Sequence, residues 1–317
     1  MTIYAQDNMQ ALVSNGLLKA DASVVIESNV VIAHPTDSGE QKPVIIGKNS
    51  RIASGTIIYS GARVGENCQI GHHSVIGANV EIGDSTSIGH GCVIDGESKL
   101  GNDNQILHGT LIAGESIIGD RNKIGPLASL GQPPQHARFP ESCGPLYIGN
   151  DNILREYVIV HGPAEHTTRI GNSNYLMAYS NVPHDAILED HITLSPKCQL
   201  GGYCHIMHHA NLGMTATVHQ FSVIGPGTMI GMGSVVTKDV PPYVTFYRGK
   251  AQKLNRIGMQ RMERSSEEIE AIVKWYRETN GRPLQERLES VRETWWYEDL
   301  QRFLELSQRT ISDLSLL

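Results

Sequence analysis

Residues 64–94 read VGENCQ, IGHHSV, IGANVE, IGDSTS, IGHGCV and I, six residues at a time. The period extends both ways. From Ile46, every sixth residue to Leu130 is aliphatic, through Ile52, Ile58, Val64, Ile70 and onward to Ile118 and Ile124. Ile148, Leu154 and Val160 keep the same register, and a second run goes from Ile170 through Val182, Leu200 and Val218 to Val236. Neither a helix nor an ordinary strand has a period of six. This is the hexapeptide repeat of a parallel β-helix, in which stacked coils bury one continuous core. The first residue of each hexad points inward. Gly often follows, as at Gly65, Gly71 and Gly77, where the backbone turns tightly and a Cβ would crowd. The fifth residue is small and also inward: Thr56, Ala62, Cys68, Ser74, Val80, Thr86, Cys92, Ser98. Three hexads close a triangular coil, so residues eighteen apart stack at about 4.8 Å.

At 317 residues, one long element with an appendage fits better than two globular domains. The net charge of −7 argues against a nucleic-acid binder. The first residues lack a basic segment followed by an apolar core, so no signal peptide is expected, and no apolar run is long enough to span a membrane. Four of the five cysteines (Cys68, Cys92, Cys198, Cys204) fall at the fifth hexad position and read as core residues, with no disulfide expected. A cytoplasmic enzyme or scaffold is the natural class.

The expected organisation is a cap and irregular first coil over 1–45, a β-helix over 46–240, a connector over 241–264 and a three-helix domain over 265–317. A turn-rich insertion, HPTDSGEQKP, falls at 34–43. Loops leave the prism at 131–147, where Pro and Gly cannot continue a sheet, and at 161–169. The hexads stop at Val240, Pro241, Pro242 and Tyr243. Ser265 with Glu268 makes a capping box, and Gly281 and Pro283 mark a stop and a new start. Apolar stripes through Ile269–Tyr276, Leu284–Trp295 and Leu300–Leu306 predict three amphipathic helices that cap the open end of the prism.

A β-helix presents what stacks. His184 is the third residue of its hexad, with Gly202 eighteen on and Gln220 eighteen further. A His with Asp185 beside it, above a Gly whose N–H is unobstructed, is a base with an oxyanion donor. The simpler reading is an exposed turn histidine. His72, His90 and His108 also stack at intervals of eighteen. They suggest a metal column, but zinc wants tetrahedral convergence, so a solvated ladder is the better expectation. His205, His208 and His209 occupy different hexad positions and are expected at the surface. Arg248, Lys250, Lys253, Arg256, Arg261 and Arg264 stand against Glu263 alone, either as a solvated linker or as a clamp for a diphosphate or an acidic carrier protein.

From about Leu100 to the C-terminus the chain resembles the acyl-[acyl carrier protein]–UDP-N-acetylglucosamine O-acyltransferases. The resemblance is carried by GQPPQ (131–135), REYVIVH (155–161), PHD (183–185), MTATVHQF (214–221), DVPPYV (239–244) and the helical tail. It implies a left-handed β-helix and a homotrimer with active sites between neighbouring chains. It implies no cofactor, an acyl carrier protein (or coenzyme A) thioester as co-substrate, a nucleotide sugar as acceptor, and no metal. It makes His184 the general base, Asp185 its companion and Gly202 the oxyanion donor. Gln135, His161, Gln220, Asn255 and Arg261 match positions lining the sugar-nucleotide or acyl site, with Arg138, His219 and Arg256 in the same segments. Met232 falls where acyl-chain length is set, and a side chain as long as Met there implies a shorter chain. The chain departs from the family at Asn181 and Tyr203, where His is usual, and at His136, where Asp is usual. Its N-terminus adds coils. These differences fit a paralogue with a changed acceptor. Two other readings stay open: a γ-carbonic-anhydrase-like metal enzyme, and a non-catalytic scaffold.

Overall fold

The structure, a computed structural model, describes residues 5–36 and 41–312. Part of the insertion expected at 34–43, and the ends of the N-terminal cap and the C-terminal domain, lie outside the described residues. The chain divides into two compact units, Met1–Thr168 and Arg169–Leu317.

The first unit opens with helix α1 (Ala5–Ser14) and continues as coils of very short parallel strands. The eighteen-residue register appears on each of three sides. Ile52 pairs with Ile70, Ile70 with Ile88 and Ile88 with Ile106 on one. Val64, Ile82 and Leu100 stack on the next, and Ile58, Ile76 and Ile94 on the third. These aliphatic side chains are buried. The fifth hexad position is buried too, and several of its polar members are satisfied inside the prism, though the buried hydroxyls of Thr110, Ser222 and Ser234 are not, among the described residues. Ser74 Oγ donates to the Gly89 carbonyl at 2.9 Å. Asn104, Asn122 and Asn152 form an internal amide ladder, with Nδ2–Oδ1 distances of 3.1 and 3.0 Å. Small donors at this position answer the carbonyls that each corner turns inward.

Gly65, Gly71 and Gly77, after the aliphatic residue, are explained by close approach and not by backbone angle. A Cβ on Gly71 would lie 2.5 Å from the Gly89 carbonyl carbon of the next coil. The left-handed backbone sits two residues later, at the fourth hexad position, where Asn67 has φ 55°, Asn79 57° and Asp185 58°. Asn and Asp tolerate that region better than other residues with a Cβ.

The second unit repeats the architecture. Leu188 pairs with Ile206 and Ile206 with Ile224 on one side, and Leu194 with Leu212 and Leu212 with Ile230 on another. Past Pro241 and Pro242 the coil gives way to a hairpin. Val244–Tyr247 continues a sheet in parallel beside Met229–Ile230, and Lys250–Leu254 turns back antiparallel on its edge. Helices α2 (Arg256–Arg261), α3 (Ser266–Glu278), α4 (Leu284–Arg287) and α5 (Tyr297–Leu306) follow, with a 3₁₀ turn at Leu288–Val291. The Ser265–Glu268 capping box is present. The segment 241–264, read from sequence only as a connector, thus holds a hairpin and a helix.

The helices cover the end of the coil. Tyr243 is fully buried, meets the Trp295 ring at 5.1 Å and donates to Asp299 Oδ2. Tyr276 donates to the Pro242 carbonyl at 3.0 Å. Asp239, also fully buried, accepts from Val223 N at 2.8 Å, Ser307 Oγ at 2.7 Å and Arg309 N at 3.2 Å. One carboxylate thereby ties the last coil to the C-terminal strap.

Candidate active site

His184 lies in the turn after the strand Asn181–Val182, and Gly202 in the turn after Gln199–Leu200, one coil on. The parallel register brings the two corners together, with Asn181 opposite Gln199. His184 is only 7% exposed. Its Nδ1 lies 2.9 Å from Asp185 Oδ2, so the carboxylate fixes the ring and selects the tautomer that carries a proton on Nδ1. The opposite edge of the imidazole lies over Gly202. A Cβ built there would stand 2.7 Å from His184 Cε1 and 2.9 Å from Nε2. Only glycine leaves room for the ring in this position.

The Gly202 N–H is unusual for its place in the repeat. At the third hexad position this donor is commonly capped by the side chain one coil on: Glu66 N by Asp84 at 2.7 Å, Asp84 N by Asn102 at 2.8 Å, Asn172 N by Asp190 at 2.6 Å. One coil after Gly202 stands Gln220, which makes no such bond, and the Gly202 N–H has no acceptor among the described residues. An uncapped backbone donor beside a buried, oriented imidazole is the arrangement that stabilises an oxyanion as a base takes a proton.

Tyr203 meets the His184 ring edge-on, at 5.2 Å and 86°, and stacks on Phe221 at 4.6 Å and 11°. Arg309 reaches the next coil from the C-terminal strap. Its Nη1 donates to His219 Nδ1 at 2.9 Å and to the Gln220 carbonyl, and its Nη2 to the Thr237 carbonyl at 3.1 Å. The Phe221 stack follows the eighteen-residue spacing, but the Arg309 strut is not legible in the hexads. Arg309 sits ninety residues from His219, and no local pattern links them.

The other expected site residues divide by unit. In the first, Gln135 and Arg138 are exposed on the loop after Gln132, His136 packs on Phe139 at 5.0 Å, and His161 is buried beside that loop's first strand. In the second, the Asn255 side chain caps α2, accepting from Gly258 N at 3.1 Å and donating to the Gly227 carbonyl at 2.9 Å. Arg256 pairs with Glu270, while Arg261 is exposed at the end of α2 without a partner among the described residues. Met232 is 65% exposed, and Met214, eighteen residues earlier, and Val235 are exposed with it.

The histidine column at His72, His90 and His108 stacks instead of converging. His72, His90 and His108 stack at 5.2 and 4.8 Å, and the N–H groups of His72 and His90 each donate to the next Nδ1 at 3.0 Å. They cap turns as Asp and Asn do elsewhere. Among the described residues no three His, Cys, Asp or Glu side chains converge to hold a metal. The expectation that His205, His208 and His209 are surface residues needs correction. His205 Nε2 lies 2.6 Å from Glu189, His208 Nε2 lies 2.7 Å from Asp299 of α5, and His209 stacks on His191 at 4.6 Å. The corner bearing them is covered by the helices. The connector cations are also partly structural: Arg264 lies 4.3 Å over Trp295 and 3.6 Å from Glu268.

Residues 239–312 match the family model described as Udp N-acetylglucosamine O-acyltransferase, domain 2, and residues 61–96 match the bacterial transferase hexapeptide model. An acyl-[acyl-carrier-protein]–UDP-N-acetylglucosamine O-acyltransferase from Alkalilimnicola ehrlichii is 37% identical over 172 residues, covering 52% of this chain and 67% of that protein. The protein of the same name from Nautilia profundicola is 34% identical, covering 53% and 67%. A solved UDP-N-acetylglucosamine acyltransferase from Bacteroides fragilis superposes with a TM-score of 0.66 at 28% identity, over 83% of this chain and 97% of its own. The fold is the left-handed parallel β-helix with a small helical C-terminal region expected from the sequence. On this match in repeat, fold and C-terminal domain, the chain belongs to the acyl-[acyl-carrier-protein]–UDP-N-acetylglucosamine O-acyltransferase family.

Proposed function

We propose that the chain transfers a fatty acyl group from an acyl carrier protein thioester to a hydroxyl of UDP-N-acetylglucosamine or a closely related nucleotide sugar. The observation that carries this reading is the His184 imidazole, oriented by Asp185, over the uncapped N–H of Gly202. His184 Nε2 takes the proton of the acceptor hydroxyl as its oxygen attacks the thioester carbonyl. The carbonyl oxygen gains charge, and the Gly202 N–H donates to it. As the tetrahedral species collapses, the C–O bond is kept, the C–S bond breaks and the imidazolium returns its proton to the leaving thiolate. General-base catalysis contributes about 10²–10⁴ in rate, and one oxyanion donor about 10²–10³.

The surroundings support the division of labour. The exposed apolar side chains of Met214, Met232 and Val235 suit an acyl chain. Met232, long and exposed, is read as the residue that sets acyl length. Arg261 and the cations of Lys253–Arg256 suit a diphosphate, and Gln220, with an amide unpartnered among the described residues, suits a sugar hydroxyl. Asn181, Tyr203 and His219 complete the acceptor site of the second unit in this reading, a homotrimer brings a neighbouring chain to it, and Gln135, His136, Arg138 and His161 of the first unit keep the substrate contacts that the resemblance implies. No helix among the described residues is long and apolar enough to cross a membrane.

The test is release of free thiol when acyl carrier protein thioesters of graded chain length are crossed with a panel of nucleotide sugars. Transfer to UDP-N-acetylglucosamine or a close relative is the expected result. No thiol release with any nucleotide sugar would overturn the proposal.

A further inference from the structure

The C-terminal region holds a half-open cavity, of about 640 Å³, between the turn after α3 and the strap at Arg309–Ser312, with none of the acyl-transfer residues His184, Asp185 and Gly202 in its lining. Three arginines line it: Arg282, Arg287 and Arg309. Arg287 is 5% exposed, and burial pushes its guanidinium below the ordinary arginine range. Its Nη1 donates to Thr279 Oγ1 at 3.3 Å and its Nη2 to the Arg282 carbonyl, both neutral partners. Its Nε has no partner, and neither has the buried Oγ of Ser312 on the same wall. Among the described residues, none of the three arginines forms an ion pair with a carboxylate. A buried cation without a counter-charge is costly, and folds normally pair it. Here the cation borders a cavity of ligand size.

We propose that this cavity is an anion site, and that it takes a phosphorylated small molecule with its phosphoryl group on Arg287 and Arg282. Guanidinium groups present planar, paired donors that match phosphoryl oxygens, and more than one of them in a single pocket suits a doubly charged group. The volume exceeds what inorganic phosphate fills, so the remainder of the ligand lies along Asn280, Gln285 and Ser312, whose groups suit hydroxyls. Of its lining, only Arg309 also touches residues of the acyl-transfer region, through His219 and the Gln220 carbonyl, and the site stands whether or not that reading holds.

Calorimetric titration of the full-length protein tests it, with glucose 6-phosphate, inorganic phosphate and glucose as probes at constant ionic strength. Saturable binding of glucose 6-phosphate, weaker binding of phosphate and none of glucose are expected. Arg282→Gln, at an exposed position, should weaken the ester about tenfold or more. Arg287→Gln should abolish binding where its melting curve shows it folded, and Arg282→Gln decides alone where it does not. Absence of saturable binding would overturn the proposal. So would binding unchanged in Arg282→Gln, or binding lost in Lys253→Gln instead. Equal affinity for phosphate and the ester would overturn the assignment of an esterified ligand.

Discussion

At the scale of single residues, the account turns on two neighbouring corners. Gly202 is small because an imidazole occupies the space where its Cβ would stand. Gly202→Ala therefore has to displace His184 from its seat on Asp185. Misplacing a catalytic group by about 1 Å can cost about 10²-fold, so initial rates should fall by that order while the melting temperature barely moves. A variant with wild-type turnover would show that the ring position is incidental. Met232→Gly should shift the preferred donor to longer acyl chains, read from rates across a thioester series; an unchanged preference rejects Met232 as the length-setting residue. His184, Asp185 and Gly202 were legible in the sequence because a period of six turns spacing into geometry. Residues eighteen apart stack, and Asp185, next in sequence to His184, reaches its ring. Tyr203 and Phe221 obey the same rule, since they too are eighteen apart, and their rings stack. That the Gly202 N–H is uncapped was beyond reach, because it depends on the Gln220 side chain failing to return to the coil before it.

At the scale of elements, the helical region is held to the last coils by buried polar groups as well as apolar stripes. Asp239→Ala removes the acceptor of Val223 N, Ser307 Oγ and Arg309 N together. Leaving such donors buried and unpaired should cost about 2–4 kcal/mol, measurable by denaturant unfolding. A loss below about 0.5 kcal/mol would mean that the strap is held by other contacts. The corner at His208 and His209 gives a pH dependence. Burial, with the nearby His191 and His208, pushes the His209 imidazole down to about 4. The unfolded chain then binds the proton more readily than the folded one between about pH 6.5 and 4. Stability from this group is complete above the unfolded value and is lost as pH falls through that window. Burial would raise the Asp299 carboxyl, but His208, Tyr243 and Arg264 hold it below its ordinary value, so it too loses stability in acid. For His208, burial alone would lower the pKa; the Asp299 hydrogen bond reverses this and leaves it raised, so it acts in the opposite sense and loses its contribution as pH rises. His209→Asn, which keeps a residue suited to the left-handed backbone at φ 57°, should flatten the fall in melting temperature between pH 6.5 and 4. An unchanged slope would assign the acid sensitivity elsewhere. The His191–His209 stack follows the eighteen-residue spacing, but the ion pair at this corner was not legible in the sequence. His208 and Asp299 are 91 residues apart, and hexad position alone pointed to solvent. The hairpin after Tyr243 was hidden for a related reason: its antiparallel pairing uses a sheet edge that exists only once the coils are built.

At the scale of the molecule, the repeat fixes the kind of core, and the family match gives the chain its relatives. The aliphatic position and its small buried companion were readable coil by coil. The Gly after each aliphatic residue was rightly read as crowded, but the left-handed turn lies two residues further on. Exposed Met214, Met232 and Val235 on the second unit are the surfaces a neighbouring chain and an acyl group should share. Sedimentation equilibrium should therefore give three times the 34.7 kDa chain mass; a lone subunit would remove the shared site. The most direct test of the central claim is the initial rate of acyl transfer from an acyl carrier protein thioester to UDP-N-acetylglucosamine, wild type against His184→Ala. The account predicts a fall of about 10³-fold or more, with the trimer and its melting temperature intact. A variant that keeps a tenth or more of the wild-type rate would contradict it.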